Sequence, residues 1–186
     1  MYIVPQAYQE VIERLRWNGV EMERLDVDWT GDVNQYYIRD YETTSNPYEG
    51  HYLHSKVELE SVNQIWTYHK GDYLIKLGQD ADLFIVSVLE PQAPDSYFAW
   101  NYFDGILMQK EYFSSYVFED RALELLENDP ELKKAFEAAR TADPEMAQNG
   151  RAQLNWIYKH SMHYERTHLL YPVARVMGNT IGRLGE

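Results

Sequence analysis

Cysteine is absent from the 186 residues, which excludes disulfides, thiolate metal sites and a cysteine nucleophile. No apolar run approaches the roughly 18 residues of a membrane-spanning helix. The opening stretch MYIVPQAYQEV lacks the basic and apolar regions of a signal peptide. Met1 is read as a start within a longer protein, because IVPQAY has the character of an internal segment. Basic side chains are in short supply, 17 against 30 acidic ones, and the resulting net charge of -13 repels phosphate backbones and anionic membrane faces. Nucleic acid is therefore disfavoured as a partner. A phosphate-cradling loop is also missing: Gly178-Asn179-Thr180-Ile181-Gly182 lies in the tail and precedes no helix. There is no Gly-x-Ser-x-Gly elbow, so Ser96, just after Pro94-Asp95, reads as a capping serine rather than a nucleophile.

Apolar and aromatic residues are plentiful. They make up 45% and 15% of the chain, with sixteen Tyr and five Trp, enough apolar surface to offset chain entropy in one compact unit. Tyr8, Val11, Ile12 and Leu15 recur at helical spacing, and Asn18-Gly19 supplies a stop. Val20 and Met22 alternate with Glu21 and Glu23, which suggests a returning strand. From Asp26 to Gly78, short runs rich in Val, Ile, Tyr, Trp and Thr are punctuated by Thr30-Gly31-Asp32, Ser45-Asn46-Pro47, Glu49-Gly50 and Lys70-Gly71-Asp72. About five antiparallel strands in a sandwich or curved sheet are expected there. The run LFIVSVLE after Ala81-Asp82 is short and apolar; it is assigned to a helix.

Leu89 to Phe113 holds the densest aromatic cluster and marks a change of character. After it the chain reads helical. Phe118, Ala122, Leu125 and Leu126 form one stripe, and Asp129-Pro130-Glu131 and Asp143-Pro144-Glu145 each combine a capping Asp, Pro at the first helical position and acid in the first turn. Leu154, Ile157 and Tyr158 belong to a last helix, and the tail TIGRLGE is expected to fray. The expected fold is α+β in a single domain over 1–186. It has an N-terminal helix plus antiparallel β lobe (1–88), an aromatic junction (89–113) and a C-terminal helical lobe (114–186).

The blocks EPQAPDSYFAWNYFDGILMQKEYFSSYVFED, NDPELKKAFEAARTADPEMAQNGRAQLNWIYKHS and YPVARV resemble the C-terminal, non-catalytic region of bacterial zinc carboxypeptidase-like metallopeptidases of the carboxypeptidase A superfamily. YIVPQAYQEVIERLRWNGVEMERL, YEGHYLHSKVE and KGDYLIKL extend the resemblance over nearly the whole chain. In that superfamily the catalytic zinc needs a His-x-x-Glu pair and a distant second His. No His-x-x-Glu occurs here, so the resemblance carries no catalytic residue onto this chain. It implies a parent peptidase, secreted or periplasmic, with zinc in a catalytic domain outside this chain and no cofactor within it. The implied partners are that catalytic domain and a peptide substrate.

Several side chains are candidates for chemistry of their own. His160, His163, Glu165 and His168 cluster in KHSMHYERTH; the three histidines are the metal candidates, with surface or interface histidines as the plainer meaning. His54 and Glu58 lie four apart, which on a regular strand places them on one face, as in an acid/base pair or a solvated sheet face. His51 beside Gly50 has no evident partner in sequence. Trp100, Tyr102 and Phe103 are the candidates for contact with a sugar or peptide side chain, against a role in core packing. Three functions follow: an accessory domain of a zinc carboxypeptidase-like peptidase, a free-standing carbohydrate- or peptide-binding module, and a small metalloenzyme built on the three histidines.

Overall fold

The computed structural model describes residues 1–176; the tail TIGRLGE and the Gly178–Gly182 stretch lie outside the described residues. The fold is α+β. The elements run β1 (Tyr2–Val4), α1 (Gln9–Trp17), β2 (Glu23–Arg24), β3 (Trp29–Thr43), β4 (His54–Tyr68), β5 (Tyr73–Ile75), α2 (Asp82–Leu89), a 3-10 turn (Asp104–Ile106), α3 (Ser115–Asn128), α4 (Pro130–Ala142), α5 (Pro144–Gln148), α6 (Gly150–Lys159) and β6 (Ala174–Arg175). Two compact units result. One comprises Met1–Met108 together with the described residues from Thr167 to Val176, and the other is Gln109–Arg166.

The first unit is built on one six-stranded antiparallel sheet in the order β2-β5-β1-β6-β3-β4. Successive side chains on a strand point to opposite faces, and the sheet uses this to divide two cores. Tyr2, Val4, Tyr73 and Ile75 face α1 residues Val11, Ile12 and Leu15, α2 residues Ile85, Val88 and Leu89, and Phe98, Phe103 and Tyr171. Ile3, Leu74 and Ala174 point the other way, into a smaller cluster with Leu25, Trp29, Val33, Tyr68 and Val176. Burial on both faces explains why β1 and β5 read as unbroken apolar runs, YIV and YLI.

The sheet differs from the expected five short strands because two of its members form a single hairpin, each strand 15 residues long. Thr30-Gly31-Asp32 does not turn. Gly31 sits inside β3, where the Trp29 indole lies so close that a Cβ would meet its Cζ2 at 2.5 Å. The turn residues Ser45 to Gly50 do close the hairpin, and Tyr48 and His51 exchange backbone bonds of 2.8 and 2.9 Å. Val20 and Met22 pack without forming a strand; the returning strand is only Glu23–Arg24.

The assignment of LFIVSVLE to a helix agrees with α2, whose start is fixed by the Asp82 carboxylate accepting from the Gly78 and Gln79 N–H groups. In the second unit Asp129 accepts from Glu131 and Leu132 N–H, and Asp143 from Glu145 and Met146 N–H, as the Asp-Pro-Glu signals require. Asn149 caps α6 in the same way through the Ala152 N–H. Phe118, Ala122, Phe136, Met146, Ile157 and Tyr158 form this unit's core. Among the described residues no helix is long and apolar enough to cross a membrane.

Candidate functional site

The tip of the β3–β4 hairpin is fastened to the aromatic segment by one buried histidine. Lys56, at φ 50°, and the register irregularities between Ile38 and Glu42 interrupt the strand alternation. His54 therefore turns inward while Glu58 stays exposed opposite Asp40, so the two do not form the pair that their spacing suggested. The imidazole lies between Phe98 and Tyr41, with ring centroids 5.1 and 4.7 Å away. Its Nε2 is 3.0 Å from Asp104 Oδ1 and 3.1 Å from Asn101 Nδ2, and its Nδ1 is 2.9 Å from Thr43 Oγ1.

The acceptors assign the tautomer. Asn101 Nδ2 donates to the Tyr52 carbonyl at 2.8 Å, which sets the amide orientation, and the Asp104 carboxylate can only accept. Nε2 therefore carries the proton and the Thr43 hydroxyl donates to Nδ1. Hydroxyl, imidazole and carboxylate stand in the order of an activated nucleophile. Here the imidazole is enclosed, with its side chain 5% exposed, and the His54 backbone N–H donates to the Ala99 carbonyl at 2.9 Å. The assembly is a clamp joining β4 to residues 98–104.

The clamp positions an aromatic surface. His51 meets Trp100 and Tyr102 at 5.5 and 5.6 Å, and Tyr48 approaches Trp100 at 6.1 Å. The Arg14 guanidinium, from α1, lies 4.2 Å over the Tyr102 ring. Beside these rings opens a cavity of about 430 Å³ lined by Tyr8, Glu10, Val11, His51, Asn101 and Tyr102. Burial raises the Tyr8 phenol above its ordinary range and pushes Tyr97, beneath Tyr102, up to about 12 against the pull of Arg14. Both are neutral hydrogen-bonding groups at physiological pH.

Of the aromatic candidates, Trp100 and Tyr102 are half-buried in this surface. Phe103 is fully buried, edge-on to Tyr8 at 4.8 Å and to Tyr171 at 4.9 Å. Ser96 is also buried; its Oγ accepts from the Ala99 N–H at 3.0 Å, the capping geometry expected of it. The metal candidates lie apart from this site in the chain. Helix α6 ends at Lys159, so His160 and His163 do not share a helical turn. His160 stacks on Trp156 at 3.8 Å and donates Nδ1–H to the Trp156 carbonyl, while His163 meets Phe118 edge-on at 6.2 Å. His168 belongs to the first unit and the other two to the second. Among the described residues no group of three or more His, Cys, Asp or Glu side chains could hold a metal ion. The second unit has its own apolar cavity of about 570 Å³, lined chiefly by Tyr112, Phe113, Val117, Phe118 and Tyr158.

Sequence reasoning weighed Trp100 and Tyr102 but missed Arg14, Asn101 and Asp104. Asn101 carries a signal only in the structure, a φ of 67° that turns its side chain toward the hairpin. No protein-family model matches the chain, and no solved structure matches it. Two curated proteins do, "Carboxypeptidase 2" of Trichophyton rubrum and "Carboxypeptidase 2" of Trichophyton equinum. The likeness is to a carboxypeptidase. It is distant, 26% identity over 96 residues in each case, and takes in 52% of this chain. The chain covers 18% of the length of these relatives.

Proposed function

We propose that this chain is a non-catalytic accessory domain of a zinc carboxypeptidase-like peptidase, corresponding to a C-terminal region that packs on, or positions substrate for, a catalytic domain outside the sequence described. The observation that carries this reading is the likeness to two carboxypeptidases of which the chain covers only 18%. Zinc and the hydrolytic chemistry belong, in this reading, to the catalytic domain. The parent is exported, to the periplasm or beyond the cell.

The aromatic surface gives the positioning role a physical basis. An extended peptide offers side chains to bury and amide groups to pair. Trp100, Tyr102 and His51 supply flat apolar area, and Asn101, Glu10 and the neutral phenol of Tyr8 supply polar contacts around a cavity large enough for one or two side chains. Sugars stack on the same kind of surface, but the carboxypeptidase likeness favours a peptide.

The test is steady-state kinetics of the full polypeptide on peptide substrates, with Trp100→Ala and Tyr102→Ala. Substrate positioning through ground-state contacts predicts KM raised about 3- to 10-fold with kcat nearly unchanged. Wild-type values of both constants in both variants would refute the positioning role.

A further inference from the structure

We infer that the outer edge of β4 pairs with the same edge of a second copy of this chain, giving a two-fold symmetric antiparallel dimer. This rests on the sheet and is independent of the carboxypeptidase reading. β4 is the last strand of the sheet, and it is long. Near its start the edge is strapped by the aromatic segment: Gln92 Nε2 donates to the Val57 carbonyl at 2.8 Å, and the His54 N–H donates to Ala99. Beyond Val57, among the described residues, no strand lies against it. A sheet edge presents backbone donors and acceptors in a row, and proteins ordinarily blunt such rows with charge, proline or bulges. Ser61 to Thr67, SVNQIWT, carries none of the three: it has no charged residue and no proline, and its pairing with β3 runs in unbroken register.

The side chains choose the occupant. An antiparallel pairing centred on Gln64 places Gln64 opposite Gln64 of the second copy. Val62 then stands opposite Trp66 on one face, and Asn63 opposite Ile65 on the other. The Val62–Trp66 contact is a β-branched–aromatic cross-strand pair, and symmetry makes it twice. Both residues are half-buried on the free sheet, and Ile65 is 68% exposed, so pairing covers apolar surface that the single chain leaves in water. The same register directs Glu58, the acid at one end of the open edge, toward the second copy's turn after Tyr68, where the long side chain of Lys70 can reach it. In-register parallel pairing would instead set Glu58 against Glu58 and Glu60 against Glu60. The charge pattern thus selects the antiparallel, self-complementary arrangement.

A net charge of -13 on each chain opposes any self-association, and the opposition is screened by salt. Raising ionic strength from about 0.01 M to about 0.15 M shortens the screening length from about 30 Å to about 8 Å. The dimer should therefore form at physiological salt and weaken at low salt. One strand pair lies at the small end of stable interfaces, so association is expected at a Kd on the order of 10–100 µM.

The experiment is sedimentation equilibrium of the 186-residue chain across that concentration range at both ionic strengths. The expected result is a monomer–dimer equilibrium, from 22.0 kDa to twice that mass, that tightens with salt. Asn63→Glu combined with Ile65→Glu alters two exposed side chains and brings carboxylates face to face across the two-fold axis; it should weaken the dimer at least about tenfold, with the chain still folded and its melting temperature lowered by no more than a few degrees, because Ile65 stands opposite Asp32 on β3. Glu58→Lys and Lys70→Glu should each weaken it about 3- to 5-fold, and the double swap should restore it, which a merely structural role for either residue would not produce. A monomer at every concentration and salt overturns the inference. So does a dimer indifferent to N63E/I65E, and failure of the double swap overturns the register.

Discussion

Replacing His54 by Ala tests whether the hairpin tip is held by one side chain. The imidazole bonds Asp104 at 3.0 Å and Thr43 at 2.9 Å, and fills the space between Phe98 and Tyr41. The bond to Asp104 would contribute about 1.5–3 kcal/mol if fully buried. Its carboxylate is 45% exposed, so water replaces part of it and about 1 kcal/mol remains. Thr43 is exposed, and its hydroxyl turns to water at little cost. Removing a ring packed against two aromatic side chains adds about 1–2 kcal/mol for the cavity. The sum, about 2–3 kcal/mol, is a large share of a stability of about 5–15 kcal/mol and lowers Tm by about 5–10 °C. Circular dichroism melts measure this, and tryptophan emission should shift to the red as Trp100 loses its cover. Thr43→Val is the control, with a loss below about 0.5 kcal/mol. If His54→Ala melts within about 1 °C of wild type, the clamp is not what holds the hairpin.

Other consequences follow from local geometry. Gly31→Ala places a Cβ 2.5 Å from the Trp29 ring and should cost about 1–3 kcal/mol by melting, since the indole is buried and has little room to move. Asp129→Ala removes the acceptor for Glu131 and Leu132 N–H and should lower the stability of the helical unit by about 1 kcal/mol in urea titrations, whereas Asp129→Asn should restore most of it. The phenols of Tyr97, Tyr68 and Tyr171 are held neutral by burial, the first pushed up to about 12 and the other two raised above the ordinary phenol range. A folded pKa raised above the unfolded value of 10.0 gives stability that is complete below pH 10 and is lost as pH rises toward 12. Phenolate absorbance should therefore include a late stage, from these buried tyrosines, that coincides with unfolding. A single stage centred near pH 10 would contradict this.

What the sequence revealed was what neighbouring residues decide among themselves. Asp129-Pro130-Glu131 and Asp143-Pro144-Glu145 start helices because cap, proline and first-turn acid act within one turn, and the α1 stripe Val11, Ile12, Leu15 packs as its spacing required. The long hairpin was hidden because Gly31 reads as a turn until the Trp29 indole is placed over it. β6 has two residues, and its partners Tyr2, Ile3 and Asn34 are far away in the chain, so no local pattern announces it. Its place in the sheet also makes Gln109–Arg166 an insertion between parts of the first unit, which a linear reading shows only as a change from strand to helix. At the candidate site the residue types were visible, but Lys56 and the bulged register re-aim His54, and its acceptor Asp104 and its neighbour Asn101 come from a segment read as an aromatic junction.

The most direct test of the accessory-domain account is the mass and activity of the native protein, captured from extracts of its source with an antibody against this chain. The account predicts a polypeptide far above 22.0 kDa whose captured fraction releases C-terminal residues from peptides and loses that activity to a zinc chelator. A native protein of 22.0 kDa with no peptidase in the captured fraction would contradict it.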